Sequence, residues 1–448
     1  MGYIGGISTL ETADDYRINL THNITDELDD QVFCSRSEVG RDGVRKRSRV
    51  LSNTKLIIII IGFKTAIQRE LDNFVKEISN ADFNIRTLTK GAFTKARAKL
   101  NPWAFQRLNQ VATDTFYNGA KYKIWHKKRV MAVDGTRLGL PNHPSIIEEF
   151  GQHEFGPKAD SKRSLAMGSI LYDVLNQISL DAQLAPYNSS ERDLLLLHLE
   201  HLKQGDLLLL DRGYACFWLL FLLKAKKVDF CIRLKEQWWL DVKDFSESGE
   251  KERLVTFDLP LKDRNKLIDH PEFQDTTIIC RLVKVELEGG EKEILCTSLL
   301  NQEEYKHAEF KELYHLRWNI EEAYKLLKSR IEVEQFSGKT ALAVRQDFYA
   351  KVFLMTLTAA YAHPIEEKVI AEFKADQNRK HDQKINRTNA LATARSILTP
   401  LFLKRIVRES IDAFDDIIYK TREIIRPNRS NQRKNKPKKP TNMNYKPL

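Results

Sequence analysis

The stretch that most constrains the fold is Asp206-Leu-Leu-Leu-Leu210, which runs straight into Asp211-Arg212-Gly213-Tyr214. A strand apolar on both faces must lie inside a sheet with both sides covered, which predicts a central, parallel position. Gly205 separates it from a helix over Ser189–Leu202, with Ser189 or Ser190 as the cap and Glu191 in the first turn. Upstream, Arg129–Val133 reads as a short strand ending at Asp134-Gly135-Thr136. Ser164–Leu171 and Gln177–Ala185 read as a hairpin joined through Asp173–Asn176. Downstream, Phe217–Lys226 is an apolar helix and Val228–Leu234 a further strand. The order β-β-β-α-β-α-β predicts a mixed α/β sheet: a three-stranded meander extended by α/β units, with helices on both faces.

The flanks differ in character. Residues 1–50 are polar and close on the basic run Arg41–Arg49, the pattern of a poorly ordered segment. Residues 51–125 turn helical, with Phe63, Ile67, Leu71, Phe74 and Ile78 at helical spacing. Thr89 is placed to cap a short helix bearing Lys90, Lys95, Arg97 and Lys99. That basic helix fits a helix-turn-helix-like DNA reader and equally an ordinary bundle with a lysine-rich surface. Residues 236–300 read as a β-rich insertion, with strands at Gln237–Leu240, Arg253–Leu259, Thr276–Val285 and Lys292–Leu299. Residues 301–340 return to helix, 341–425 are mostly helical, and 426–448 form a proline- and lysine-rich tail without acids.

Charge and cysteine content narrow the function. A formal net charge of +11 favours a polyanionic partner, nucleic acid first. The apolar run Leu56–Ile61 is far too short to cross a bilayer, and the N-terminus lacks the pattern of a signal peptide. Five widely spaced cysteines without a C-x-x-C pair suggest neither zinc nor a disulfide framework, and the expected compartment is the cytosol.

The chemistry gathers on three carboxylates. Asp134 and Asp211 follow strands, where open α/β sheets collect functional groups. Glu321 lies on Tyr314–Lys328, YHLRWNIEEAYKLLK. Wound as one α-helix, this segment places Tyr314, Arg317, Glu321 and Lys328 within about 60° on one stripe. Leu316, Ile320, Ala323 and Leu327 fall on the opposite side. Glu322 points about 100° from Glu321 and is the weaker candidate. Three hard oxygen ligands suit Mg²⁺ or Mn²⁺ rather than zinc. Two such ions can activate a water or a 3′-hydroxyl against a phosphodiester.

The set Val133-Asp134-Gly135-Thr136, Leu208–Tyr214 and Y314-x2-R317-W318-x2-E321-x6-K328 resembles the bacterial DDE transposases of the IS-four insertion-sequence family, with their Y-R-E-K signature. The resemblance covers roughly residues 55–340 and implies a ribonuclease-H-like core interrupted by a β-rich insertion before the glutamate helix, flanked by helical regions. It implies cut-and-paste transposition: metal-dependent cleavage at terminal inverted repeats and strand transfer into target DNA. Asp134, Asp211 and Glu321 then resemble the catalytic, metal-binding triad, holding two Mg²⁺ or Mn²⁺ ions. Tyr314, Arg317 and Lys328 look like contacts to the DNA phosphate near the cleaved end. Trp318 looks like an aromatic that holds a flipped base during a hairpin step, and Trp238 or Trp239 is either its partner or β-core packing. Arg212 is placed to touch phosphate or to brace the triad. The resemblance further implies a homodimer on paired DNA ends, with residues 341–425 as the place for the contact, in the cytoplasm at the bacterial nucleoid. A DNA-binding protein without catalysis, or a metal-dependent nuclease without strand transfer, shares the same features.

Overall fold

The computed structural model describes residues 13–39, 51–155, 161–267, 275–287, 290–374 and 379–426. Six helices come first: α1 (Ala13–Asp29), α2 (Gln31–Arg36), α3 (Asn53–Gly62), α4 (Ile67–Ile78), α5 (Lys90–Arg97) and α6 (Trp103–Gly119). Then come β1 (Val130–Gly139), α7 (Pro144–Phe150), a small hairpin of β2 (His153–Phe155) and β3 (Ser161–Arg163), β4 (Leu165–Asp173) and β5 (Ile178–Pro186). The next elements are α8 (Glu191–His198), β6 (Leu207–Leu210), α9 (Phe217–Ala225) and β7 (Asp229–Leu234). They are followed by α10 (Leu240–Glu247), β8 (Glu252–Asp258), α11 (Leu261–Arg264), β9 (Thr277–Glu286) and β10 (Lys292–Thr297). The chain closes with α12 (Phe310–His315), α13 (Asn319–Ser329), α14 (Ala341–Glu372), β11 (Gln383–Lys384), α15 (Arg387–Phe402), α16 (Val407–Lys420) and β12 (Glu423–Ile424).

Eight strands form one sheet in the order β5-β4-β1-β6-β7-β10-β9-β8. β5, β4 and β1 are an antiparallel meander, and β6 and β7 run parallel to β1. This is the mixed sheet expected from the sequence, a three-stranded meander extended by α/β units. Leu207, Leu208, Leu209 and Leu210 are all fully buried, as a strand covered on both faces requires.

Residues 236–300 do not stand apart as an inserted unit. β10 pairs antiparallel with β7, and β9 and β8 add outward from it, so the stretch extends the main sheet. Pairing gives the backbone groups of the β7 edge the partners that an edge strand lacks. The segment Gln237–Leu240 is not a strand. Trp239 stacks on Phe217, with ring centroids 4.1 Å apart, and Leu240 opens α10.

The N-terminal and C-terminal helices form one layer rather than two regions. α14 has 32 residues and is buried around most of its circumference, packing against α3, α6, α15 and α16 and against β5. One carbonyl of the edge strand β5 finds two partners there: Asn109 donates to Ser179 O at 2.9 Å and Thr356 donates to the same oxygen at 3.1 Å. Buried Lys351 of α14 donates to Ile61 O at 2.9 Å and Phe63 O at 2.7 Å, closing the C-terminus of α3. The apolar run Leu56–Ile61 is therefore a core helix. With α14 inside the core, the stretch 341–425 offers much less free surface for a dimer contact than its helical pattern suggests.

Within residues 1–50 the expectation of disorder fails for α1 and α2. Tyr16, Leu20, Ile24, Leu28 and Phe33 are buried against the same core. The basic run Arg41–Arg49 and the tail from Pro427 lie outside the described residues. Among the described residues no helix is long and apolar enough to cross a membrane.

Candidate active site

β1 and β6 pair in parallel from Val130↔Leu207 to Ala132↔Leu209. β6 then ends at Leu210, while β1 continues to Gly139 against β4. Asp134 and Asp211 each stand two residues past the last matched pair, so the register brings them to the same level of the sheet. Asp134 lies inside its strand rather than after it, because β4 keeps pairing there (Asp134↔Ile170) when β6 has stopped.

The two acids feel each other. Burial pushes the Asp134 carboxyl up to about 6; the Gly135 amide and Arg317 oppose the rise, and Asp211 and Glu191 add to it. Glu191, on the first turn of α8, is also raised, by burial and then by Asp211, against the pull of Arg137. Its carboxylate lies over Gly135 so closely that a Cβ there would fall 2.3 Å from Glu191 Oε1. In the sequence Glu191 reads as a first-turn acid and, with Glu322, as a further acid near the three candidates.

Tyrosines brace the two acidic segments. Tyr324 donates to Asp134 O at 2.6 Å, and Tyr314 donates to Leu210 O at 3.2 Å. Asp211 Oδ1 accepts the Gly213 amide at 2.7 Å. Tyr214 is fully buried, its hydroxyl has no hydrogen-bond partner among the described residues, and Glu191, Asp134, Tyr324 and Asp211 all push its already burial-raised pKa further up.

The glutamate segment is not one uniform helix. α12 and α13 are joined by a tighter 3₁₀ turn over Leu316–Trp318, which rotates Tyr314 off the expected stripe. Tyr314 is 4% exposed, so it offers no ready phosphate contact, and Arg317 is 7% exposed behind the Glu321 carboxylate. Arg317 Nη2 donates to Glu321 Oε1 at 3.1 Å, and its guanidinium lies 5.1 Å from the Trp318 ring centre. Trp318 is 46% exposed. Lys328 donates to Arg137 O at 2.6 Å, and burial lowers its pKa against the pull of Glu334.

The remaining candidates separate clearly. Arg212 is exposed beside Asp211, and Lys90, Lys95 and Lys99 are exposed. Arg97 is not: it is 4% exposed and donates to Asp347 at 3.0 Å, Ser337 at 2.6 Å and Gln346 at 2.7 Å. It ties α5 to α14, because position 97 faces the core with Phe93 and Ala96. Trp238 and Trp239 line a cleft of about 680 Å³ with Arg192, Trp218, Lys262 and Lys266. Trp239 is packed on Phe217 and Phe257, whereas Trp238 keeps an open face.

The donors suit a hard divalent cation: Asp211 adds to the raised pKa of both Asp134 and Glu191, and the buried Tyr214 phenol has no partner among the described residues. Among the described residues, no three His, Cys, Asp or Glu side chains already converge closely enough to hold a metal. Glu321 is turned to Arg317.

The β1–β6 register sets two acids at one level of the sheet, with a third on a following helix. Residues 125–357, just over half the chain, match the family model described as the transposase DDE domain, and the chain belongs to that family. The chain is 24% identical over 152 residues to the putative transposase InsZ of Escherichia coli (strain K12), an overlap of 33% of this chain and 50% of that protein. The chain thus spans about half the length of the curated relative it matches. A further likeness is to the cryo-EM structure of the piggyBac transposase synaptic complex with hairpin DNA, at a TM-score of 0.40 and 9% identity, covering 93% of this chain and 78% of that one.

Proposed function

We propose that the chain is a DNA transposase that cuts at terminal inverted repeats and joins the freed ends to target DNA. The observation that carries this reading is the matched position of Asp134 and Asp211 at the end of the β1–β6 register, within a chain of the transposase DDE domain family. The IS-four assignment rests on the Y-R-E-K spacing in the sequence.

Asp134, Asp211 and Glu321 would hold two divalent ions, Mg²⁺ or Mn²⁺. Bound, they supply the charge that activates the attacking oxygen and offsets the charge on the leaving one. The chain's own part is positional. Tyr314 and Tyr324 fix the backbone beneath the two aspartates. Arg317 acts in two ways: it holds Glu321 before DNA arrives, and it passes to a phosphate when one displaces that carboxylate. Lys328, Arg137 and Arg212 surround the same opening as further phosphate contacts, and Trp318 and Trp238 present open rings for a displaced base. Lys90, Lys95 and Lys99 form a separate basic surface for duplex DNA. The working form is a homodimer on paired ends.

The test is release of a linear element from a plasmid carrying the flanking inverted repeats. Release with Mg²⁺, its loss with Asp211→Asn, and joining to a second plasmid are expected. Binding of the repeats without cleavage in Mg²⁺ or Mn²⁺ would leave a DNA-binding protein. Cleavage without joining would leave a nuclease.

A further inference from the structure

We propose that Glu191 is a fourth carboxylate of the metal site, and that with Asp134 and Asp211 it takes up the first divalent cation before DNA binds. This rests on the function proposed above.

Four observations converge. Glu191 lies directly over Gly135, in the room left by the missing side chain next to Asp134. It is electrostatically coupled to both aspartates, whereas Glu321 is paired with Arg317. The buried Tyr214 hydroxyl has no hydrogen-bond partner among the described residues and lies within electrostatic reach of Glu191 and both aspartates.

The fourth observation is the care with which α8 is held. Arg192 donates to Gly213 O from Nε at 3.0 Å and from Nη2 at 2.8 Å, fastening the helix start to the Asp211 loop. One face further along, His198 is gripped at both ring nitrogens, by Asp181 Oδ2 at 2.7 Å and Ser169 Oγ at 2.9 Å. Glu191 and His198 are seven residues apart, within about 20° on one helix face. Fixing His198 on β4 and β5 therefore fixes the direction in which Glu191 points. A solvated first-turn acid needs no such support. A metal ligand does, since its orientation sets affinity.

The experiment is Mn²⁺ binding to the purified, DNA-free full chain, read as free Mn²⁺ by electron paramagnetic resonance. The variants are Glu191→Gln, Gly135→Ala, Asp134→Asn and Glu321→Gln, each also melted in chelator. Glu191→Gln and Asp134→Asn are expected to weaken binding at least about tenfold, and Glu321→Gln far less. Gly135→Ala, which displaces the Glu191 carboxylate, is expected to weaken binding too, and combining it with Glu191→Gln to add nothing further. In chelator Glu191→Gln should melt no lower than the parent, because it removes a like charge. Wild-type Mn²⁺ affinity in Glu191→Gln, with Asp134→Asn impaired, overturns the proposal and leaves the transposase reading intact. Failure of the parent chain to bind Mn²⁺ overturns it as well, and excision then decides the transposase reading on its own.

Discussion

Arg317 Nη2 donates to Glu321 Oε1 at 3.1 Å, one helical turn along the segment that joins the two to the sheet. The guanidinium is almost wholly buried, while nearly a third of the Glu321 side chain is open to solvent. The acid is thus the movable partner and the base the fixed one. A phosphate that reaches Arg317 frees Glu321 to turn toward Asp134, which already feels the same guanidinium.

Glu321→Gln should leave stability nearly unchanged, since partly exposed pairs at this spacing contribute about 0.3–0.5 kcal/mol. Cleavage of an inverted-repeat substrate should fall at least about a hundredfold, the upper end of what even outer-sphere changes cost. Melting and single-turnover cleavage measure the two effects. Full cleavage by the variant would remove Glu321 from the active site.

Tyr314→Phe separates bracing from DNA contact. The hydroxyl donates to Leu210 O, so its loss should cost about 1 kcal/mol in denaturant unfolding while DNA affinity stays within about twofold. A drop in affinity with unchanged stability would make Tyr314 a phosphate contact after all.

Arg97 and Lys95 should behave oppositely although they are two residues apart. Arg97→Ala leaves Asp347 buried and short of a cation and should destabilise the fold by about 3 kcal/mol or more. Lys95→Ala should leave unfolding unchanged and lower the slope of log affinity against log salt by about 1. Salt titration of duplex binding beside urea unfolding of each variant tells them apart.

The join between α14 and α15 should respond to acid. Burial pushes the Glu366 carboxyl up, but Arg387, Lys123 and His363 outweigh it and hold the carboxyl below its ordinary value. A depressed carboxylate adds stability above its unfolded pKa of about 4.3, and that stability is lost as pH falls through the lower folded value. Glu366→Gln should therefore destabilise the protein at pH 7, with the gap to the parent closing below about pH 4. An equal gap at pH 7 and pH 3, measured by urea unfolding, would refute the linkage.

Local pattern carried much of this molecule. The leucine run specified a covered central strand, because four apolar side chains leave no face for water. The hairpin, α8 and β7 followed from alternation, turn residues and caps. The acids at 134, 211 and 321 stood out because a carboxylate at the edge of an apolar strand or on a charged helix stripe is chemically conspicuous.

Other features depend on elements distant in the chain. Whether Arg97 faces solvent or Asp347 depends on a helix some 250 residues away, and helical periodicity cannot reveal which stripe that helix covers. The 3₁₀ turn at Leu316–Trp318 breaks the helical stripe, and Tyr314 lies inward with its hydroxyl on Leu210 O. Glu191 and Asp134 are separated in sequence by a strand pair and meet only because the meander folds α8 back over Gly135. Composition and spacing, then, specified the sheet and singled out three acids as candidates. Long-range packing decided which charges are buried, which remain open, and that a fourth carboxylate stands beside the two aspartates, because burial and electrostatic coupling arise only when separate elements are brought into contact.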